Sequence, residues 1–157
     1  SCGLCGKASI ESVHQQFPPV ENQSEVSAKM LASLPDKLRV AQPTFDQTGG
    51  LHAAGLFSME GFLTVSREDV GRHNAVDKVI GNAFLDRVDL SQSILVVSGR
   101  ASFEIMQKSL AARIPIVAAV SAPSSLAVEF AQDSDQTLAG FVRGKTMNVY
   151  AGAQRVR

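Results

Sequence analysis

Ile94-Leu95-Val96-Val97-Ser98-Gly99-Arg100 is the stretch that decides the fold. Four apolar residues in a row read as a strand buried on both faces, because a strand with one wet face alternates. A small polar turn follows, and then Phe103, Met106 and Leu110 recur at helical spacing. The unit repeats at once. Ile116 to Val120 is a strand, Pro123 and Ser124 open a helix, and Leu126, Ala127, Phe130 and Ala131 form its inner face. Strands alternating with helices at this spacing imply an α/β protein, a three-layer α/β/α sandwich with a mixed, largely parallel sheet.

On the amino-terminal side, Leu51 to Phe57 and Phe62 to Ser66 are two short strands joined by the turn Ser58-Met59-Glu60-Gly61. Val76, Val79, Ile80, Ala83 and Phe84 then mark one face of a helix over about 74–85, with Asn74 as its cap. An earlier helix runs from Ser24 to Leu34 on Val26, Met30, Leu31 and Leu34; Pro35 is expected to stop it, and Asp36 to Ala41 to form a further turn. On the carboxyl side, strands near Thr137 to Val142 and Met147 to Tyr150 flank the turn Arg143-Gly144-Lys145. Residues 7–23 are polar and broken by Pro18-Pro19, so residues 1–23 read as a mobile segment and linker, and residues 24–157 as the α/β domain. The chain begins at Ser1 rather than Met and is read as a fragment lacking its N-terminal part.

Charge narrows the function classes. The formal net charge is zero and charged residues make up 19%, which removes the broad basic footprint of a protein that tracks a nucleic-acid backbone. No apolar run approaches the roughly 18 residues that span a bilayer, so no membrane contact is expected. Both cysteines lie in Cys2-Gly3-Leu4-Cys5-Gly6, a spacing that suits thiol chemistry in a reducing cytosol. Half of a structural zinc site is an alternative, but it needs two more ligands and only His14, His52 and His73 remain. A thioredoxin-like redox pair is another, although that motif sits between a strand and a helix. An unperturbed thiol is only about 3% thiolate at pH 7, so a nucleophilic cysteine needs a nearby cation such as Arg72, Arg100 or Lys145.

In sheets of this kind ligands sit beyond the carboxyl ends of the strands. Those ends carry Arg67 to Arg72, Ser98 to Ser102 and Ser121 to Ser124. Arg72 and His73 fall at a helix start, where free backbone N–H groups favour an anion such as phosphate; ordinary capping is the plainer reading of the same run. Ser98-Gly99-Arg100 repeats the arrangement, or is simply a tight turn. His52 is either a core histidine bonded to backbone or a site residue. Phe141-Val142-Arg143-Gly144-Lys145-Thr146 is a solvated hairpin tip or a seat for a diphosphate or a guanine edge.

Together, Cys2 to Gly6, Thr48-Gly49-Gly50-Leu51-His52, Glu68 to Lys78, Ser98 to Lys108 and Val120 to Glu129 closely resemble the formate dehydrogenase accessory sulfurtransferase family, in order, from Cys2 to about Tyr150. The resemblance implies a sulfur carrier, a sulfurtransferase of the cytoplasm. It would take sulfur from a cysteine desulfurase as a cysteine persulfide and pass it to the molybdenum bis(molybdopterin guanine dinucleotide) cofactor, bound as a substrate, for formate dehydrogenase. Cys2 matches the family's persulfide cysteine and Cys5 its partner, and Phe141 to Thr146 falls on the cofactor-binding segment, here departing from the commoner Lys-Pro-Gly-Arg type. His52, Arg72, His73, Ser98, Gly99 and Arg100 complete the expected cofactor-binding set, with no permanent metal, a site for the guanine nucleotide moiety and a homodimer as the expected assembly. A non-catalytic cofactor-binding chaperone is the alternative. The family's fold is similar to that of cytidine deaminases, yet His73-Asn74-Ala75 and Gly99 to Ser102 lack the glutamate and the thiolates that zinc deamination needs.

Overall fold

The computed structural model describes residues 17–157. Cys2, Cys5 and His14 lie outside the described residues. The elements are α1 (Ala28–Val40), α2 (Pro43–Thr48), β1 (His52–Ser58), β2 (Leu63–Asp69), α3 (Arg72–Leu85), β3 (Ser93–Val97), α4 (Phe103–Ala111), β4 (Ile116–Ala119), α5 (Ser125–Asp133), β5 (Thr137–Arg143) and β6 (Thr146–Ala151). The six strands form one mixed sheet in the order β2-β1-β3-β4-β5-β6.

The sheet is not largely parallel. Only β3–β4 and β4–β5 pair in parallel; β1–β2, β1–β3 and β5–β6 are antiparallel. The cause is local, since a tight turn can join only antiparallel neighbours, and both edges of this sheet are closed by hairpins. One passes through Ser58 to Phe62, where the Ser58 N–H donates to the Phe62 carbonyl at 2.9 Å, and the other through Gly144-Lys145. The alternating strand and helix pattern holds only for the β3-α4-β4-α5-β5 centre.

Successive strand residues feed two cores on opposite faces. Leu56, Leu95, Val97, Val117, Ala119 and Leu138 pack with α3, α4 and α5, while Phe57, Ile94, Val96, Ile116, Ala118 and Val142 pack with Leu31, Leu34 and Leu38 of α1. Phe103 and Phe130 meet edge to face at 5.0 Å where α4 touches α5. Gly55 lets α1 come down on the sheet, because a Cβ there would lie 2.9 Å from Leu38 Cδ1.

Three local expectations are corrected. Pro35 lies inside α1 rather than ending it. Losing one backbone bond costs up to about 3 kcal/mol, but the buried face Leu31, Leu34, Pro35, Leu38 runs straight through the proline, and each such side chain offsets about 1.5–3 kcal/mol. Val26 precedes the helix and bridges to Val156, because Ser27 is the N-cap. Asn74 is not the cap of α3: Gly71 occupies that position without a side-chain cap bond, and Asp69 braces the turn before it, accepting from Gly71 N–H at 2.8 Å and Asn74 Nδ2 at 3.0 Å. Lys78 pairs with the same carboxylate, and these donors, Lys78 first, hold Asp69 down to about 2.

Residues 17–23 lie against the domain. Val20 is buried and donates its N–H to the Ser134 carbonyl, and Asn22 Nδ2 donates to the Ser91 carbonyl. Both contacts precede strands, so this strap crosses the amino ends of β3 and β5, beside a hollow of about 430 Å3 lined by Pro18, Asn22, Gln92 and Arg113.

Candidate functional site at the strand ends

Strand directions bring the expected site residues to the opposite end of the sheet. β3, β4 and β5 finish there, at Ser98, Val120 and Arg143; β1 and β6, being antiparallel, start there at His52 and Thr146; β2 finishes there at Asp69 and feeds α3. Five stretches distant in sequence thus share one edge without a parallel sheet.

Between these ends and α1–α2 opens a pocket of about 570 Å3. His52, Ser98, Arg143 and Gly144 line it, as expected from the sequence, with Val120 and Val142 supplying apolar surface. Its other wall was not foreseen: Leu38 and Arg39 of α1, Gln42 and Phe45 around α2, and Gly49 to Leu51. Glu68 of β2 seats that wall, its carboxylate accepting from the Thr44 and Phe45 N–H groups at 3.0 and 2.7 Å. Arg39 stacks over the Phe45 ring at 4.7 Å and pairs with Asp46. The signal was present in the sequence, but reading Pro35 as a stop ended α1 before Leu38 and Arg39.

Gly99 is a point of close approach. A Cβ there would stand 3.2 Å from His52 Nδ1 and 3.5 Å from Arg72 Cδ, so His52, Gly99 and Arg72 converge. Ser98 fixes this corner, its Oγ accepting from Ala53 N–H at 2.8 Å and its own N–H donating to the Ala53 carbonyl. Arg72 Nε is buried without a hydrogen-bond partner among the described residues. Arg100 is exposed, and neither it nor Arg143 nor Lys145 pairs with an acid among the described residues. Two acids near this edge are engaged, Asp69 by Lys78 and Asp46 by Arg39, and a third, Asp36, lines the pocket. Arg100, Arg143 and Lys145 still leave this edge with more unpaired cations than acids among the described residues.

His73 lies with Ser102 and Glu104. Its Nε2 is 2.9 Å from Ser102 Oγ and 3.9 Å from Glu104 Oε2. Burial, then the Arg72 charge, pushes His73 below the usual imidazole range, although Glu104 pulls the other way. Burial alone would raise Glu104, but hydrogen bonds from Ser102 and from its own backbone, with the charges of His73 and Arg72, hold it low.

The β5–β6 tip is divided between two hollows. Arg143 and Gly144 face the 570 Å3 pocket; Gly144, Lys145 and Thr146 line a broader hollow of about 1,020 Å3 whose far side is Ser27, Lys29, Met30 and Ser33 of the α1 start. A register shift between Gly140 and Arg143 bulges β5, and Phe141 sits there at φ 52° with its ring partly exposed while Val142 is fully buried. A phenylalanine in the left-handed region costs about 1–2 kcal/mol. Among the described residues, no group of three or more His, Cys, Asp or Glu is arranged to hold a metal ion, and no helix is long and apolar enough to cross a membrane.

Fold and site together define a small α/β protein with a cation-rimmed, apolar-walled pocket at one sheet end. The chain belongs to the FdhD/NarQ family, which it matches over residues 1–157. It is 57% identical to the sulfur carrier protein FdhD of Streptomyces avermitilis over 164 residues, covering 99% of this chain and 57% of that protein. The sulfur carrier protein FdhD of Mycobacterium tuberculosis is also 57% identical, over 159 residues, with 99% of this chain and 58% of that protein covered. A crystal structure of a candidate formate dehydrogenase accessory protein from Desulfotalea psychrophila superposes with a TM-score of 0.84 at 31% identity, covering 94% of this chain and 62% of that one. The chain thus spans a little over half the length of the curated relatives it matches.

Proposed function

We propose that this protein is a persulfide sulfur carrier, a sulfurtransferase that takes sulfur from a cysteine desulfurase on Cys2, with Cys5 assisting, and delivers it to molybdenum bis(molybdopterin guanine dinucleotide) for formate dehydrogenase in the cytoplasm. The observation that carries the reading is the meeting of His52, Ser98, Arg143 and Gly144 in one pocket, with Gly99 and Arg72 close beside His52, in a chain whose relatives are named sulfur carriers. A cofactor with two nucleotide arms has diphosphates for the unpaired cations Arg72, Arg100, Arg143 and Lys145, and planar guanines for an exposed aromatic ring. His73 facing Ser102 across two neighbouring helix starts supports the cytidine deaminase-like fold as part of the same reading.

The test is a mass measurement. After incubation with a cysteine desulfurase and cysteine, the protein is expected to gain one sulfur atom that a reductant removes; no gain rejects the carrier reading. A second reading is a cofactor-binding chaperone that performs no covalent step, since a pocket with apolar walls and unpaired cations at its rim would serve that role equally well. Full support of formate dehydrogenase activity by protein that never carries sulfur would establish it.

Phe141→Gly separates binding from folding. Glycine occupies positive φ without strain, so thermal stability is expected to hold or rise. Loss of a base-stacking ring should weaken guanosine diphosphate binding by about 5- to 150-fold, read by calorimetry. Unchanged binding would remove Phe141 from the site.

A further inference from the structure

Gln42 is only 3% exposed, yet it lines the 570 Å3 pocket and makes no side-chain hydrogen bond among the described residues. It occupies the N-cap position of α2, where a side chain ordinarily accepts from the first helical N–H groups. Glu68 does that instead, reaching over from β2 to Thr44 and Phe45 N–H, and Gln42 contributes only its backbone carbonyl, which accepts from Asp46 N–H at 3.2 Å. The carboxamide is thereby released from the helix. A buried amide without a partner destabilises a folded chain, so this one costs the free protein stability and returns nothing to it. The fully enclosed, unpartnered side-chain atoms among the described residues are Arg72 Nε and Arg155 Nη1. The Gln42 amide is not one of them, and its small accessible surface opens on the pocket. Asp36 of α1 lines the same pocket, with neither an ion pair nor a side-chain hydrogen bond among the described residues.

We infer that Gln42 and Asp36 are the specificity-determining residues of this pocket and read the edge of a 2-amino-6-oxopurine base by hydrogen bonds. The inference rests on the guanine nucleotide proposed above for the identity of the base, and on burial and missing partners for the two residues. A carboxamide offers donors and an acceptor side by side, whereas an ionised carboxylate only accepts. Guanine sets two donors, N1–H and the 2-amino group, beside the O6 acceptor on one edge. The Asp36 carboxylate takes the two donors, and Gln42 Nε2 donates to O6. Adenine reverses the order: its N1 accepts where guanine donates, and its 6-amino group donates where guanine accepts. It would therefore bring a lone pair to Asp36. The apolar surface of Leu38, Val120 and Val142 suits the ring faces and leaves choice of base to the edge. Discrimination then comes from the buried amide and the carboxylate that a wrong base would leave unpaired.

The experiment is calorimetry of the full chain with guanosine, inosine and adenosine diphosphates, alongside chemical denaturation without ligand. Wild type is expected to bind guanosine diphosphate about 10-fold more tightly than inosine diphosphate, which lacks the 2-amino donor, and to bind adenosine diphosphate more weakly than either. Gln42→Leu, close in size and apolar, should bind guanosine diphosphate about 3- to 10-fold more weakly. The same variant should raise the denaturation midpoint, because it removes an unpaired buried amide; a residue that merely holds the structure would lower it. Asp36→Asn should cut the preference for guanosine over inosine diphosphate to about 3-fold or less. A Gln42→Leu protein that is less stable than wild type or does not fold, or that binds guanosine diphosphate unchanged, overturns the role of Gln42. A preference that survives Asp36→Asn overturns that of Asp36. Equal binding of all three nucleotides by wild type overturns the inference while sparing a nucleotide site. Binding of none rejects the guanine-nucleotide reading itself, and the base assignment falls with it.

Discussion

Replacing Cys2 with alanine is expected to abolish the gain of reducible sulfur after desulfurase treatment, while Cys5→Ala retains part of it. The chain holds two cysteines, so the proposed carrier has two possible seats for sulfur, and the reading above puts the persulfide on the first. Among the described residues both apolar cores close without a cysteine, so loss of loading in the Cys2 variant is expected without loss of folding. Far-UV circular dichroism and the thermal midpoint should therefore match wild type. Equal loading of wild type and Cys2→Ala would transfer the role to Cys5 and reject the assignment.

Arg155→Ala is expected to cost about 2–5 kcal/mol, a large share of the 5–15 kcal/mol typical of a domain, measured by chemical denaturation. The side chain is fully buried and the largest of the fully buried set. Its Nε donates to the Asn22 carbonyl at 2.7 Å and its Nη2 to Asp135 at 2.9 Å. Alanine leaves a cavity and strips the carbonyl of its donor. Asp135 suffers less, being partly exposed and still bonded by Gln154. Because Nη1 is buried with no partner among the described residues, Arg155→Met, which keeps much of the volume and removes that orphan, should cost less than alanine. If alanine proves as stable as wild type, the strap is not anchored here.

The fold was legible where pattern and packing coincide. Ile94 to Val97 and Ile116 to Ala119 are fully buried strands, as continuous apolar runs predict, and Ala127, Phe130 and Ala131 face inward at helical spacing. Sheet direction was less so, because hairpin edges and a parallel centre have similar strand signatures, and turn length, not hydrophobicity, decides between them. Pro35 misled because a proline's local cost is visible in sequence and the buried face that outweighs it is not. Ser98 followed from its strand-end position, His52 from the start of a strand and Arg143 and Gly144 from the hairpin tip, whereas Phe45 and Glu104 were missed because each is placed beside a residue far away in sequence, Glu68 and His73. Arg155 carried no signal: a buried arginine near a chain end is read as solvated until Asn22 and Asp135 are seen around it.

The strap across the amino ends of β3 and β5 also joins stretches far apart in sequence: Val20 N–H bonds the Ser134 carbonyl, Arg155 Nε the Asn22 carbonyl, and Val26 bridges to Val156. Such non-local contacts pay their loop-closure entropy before they are rewarded, so this seam is expected to lock late in folding and to open early under denaturant, ahead of the buried central strands.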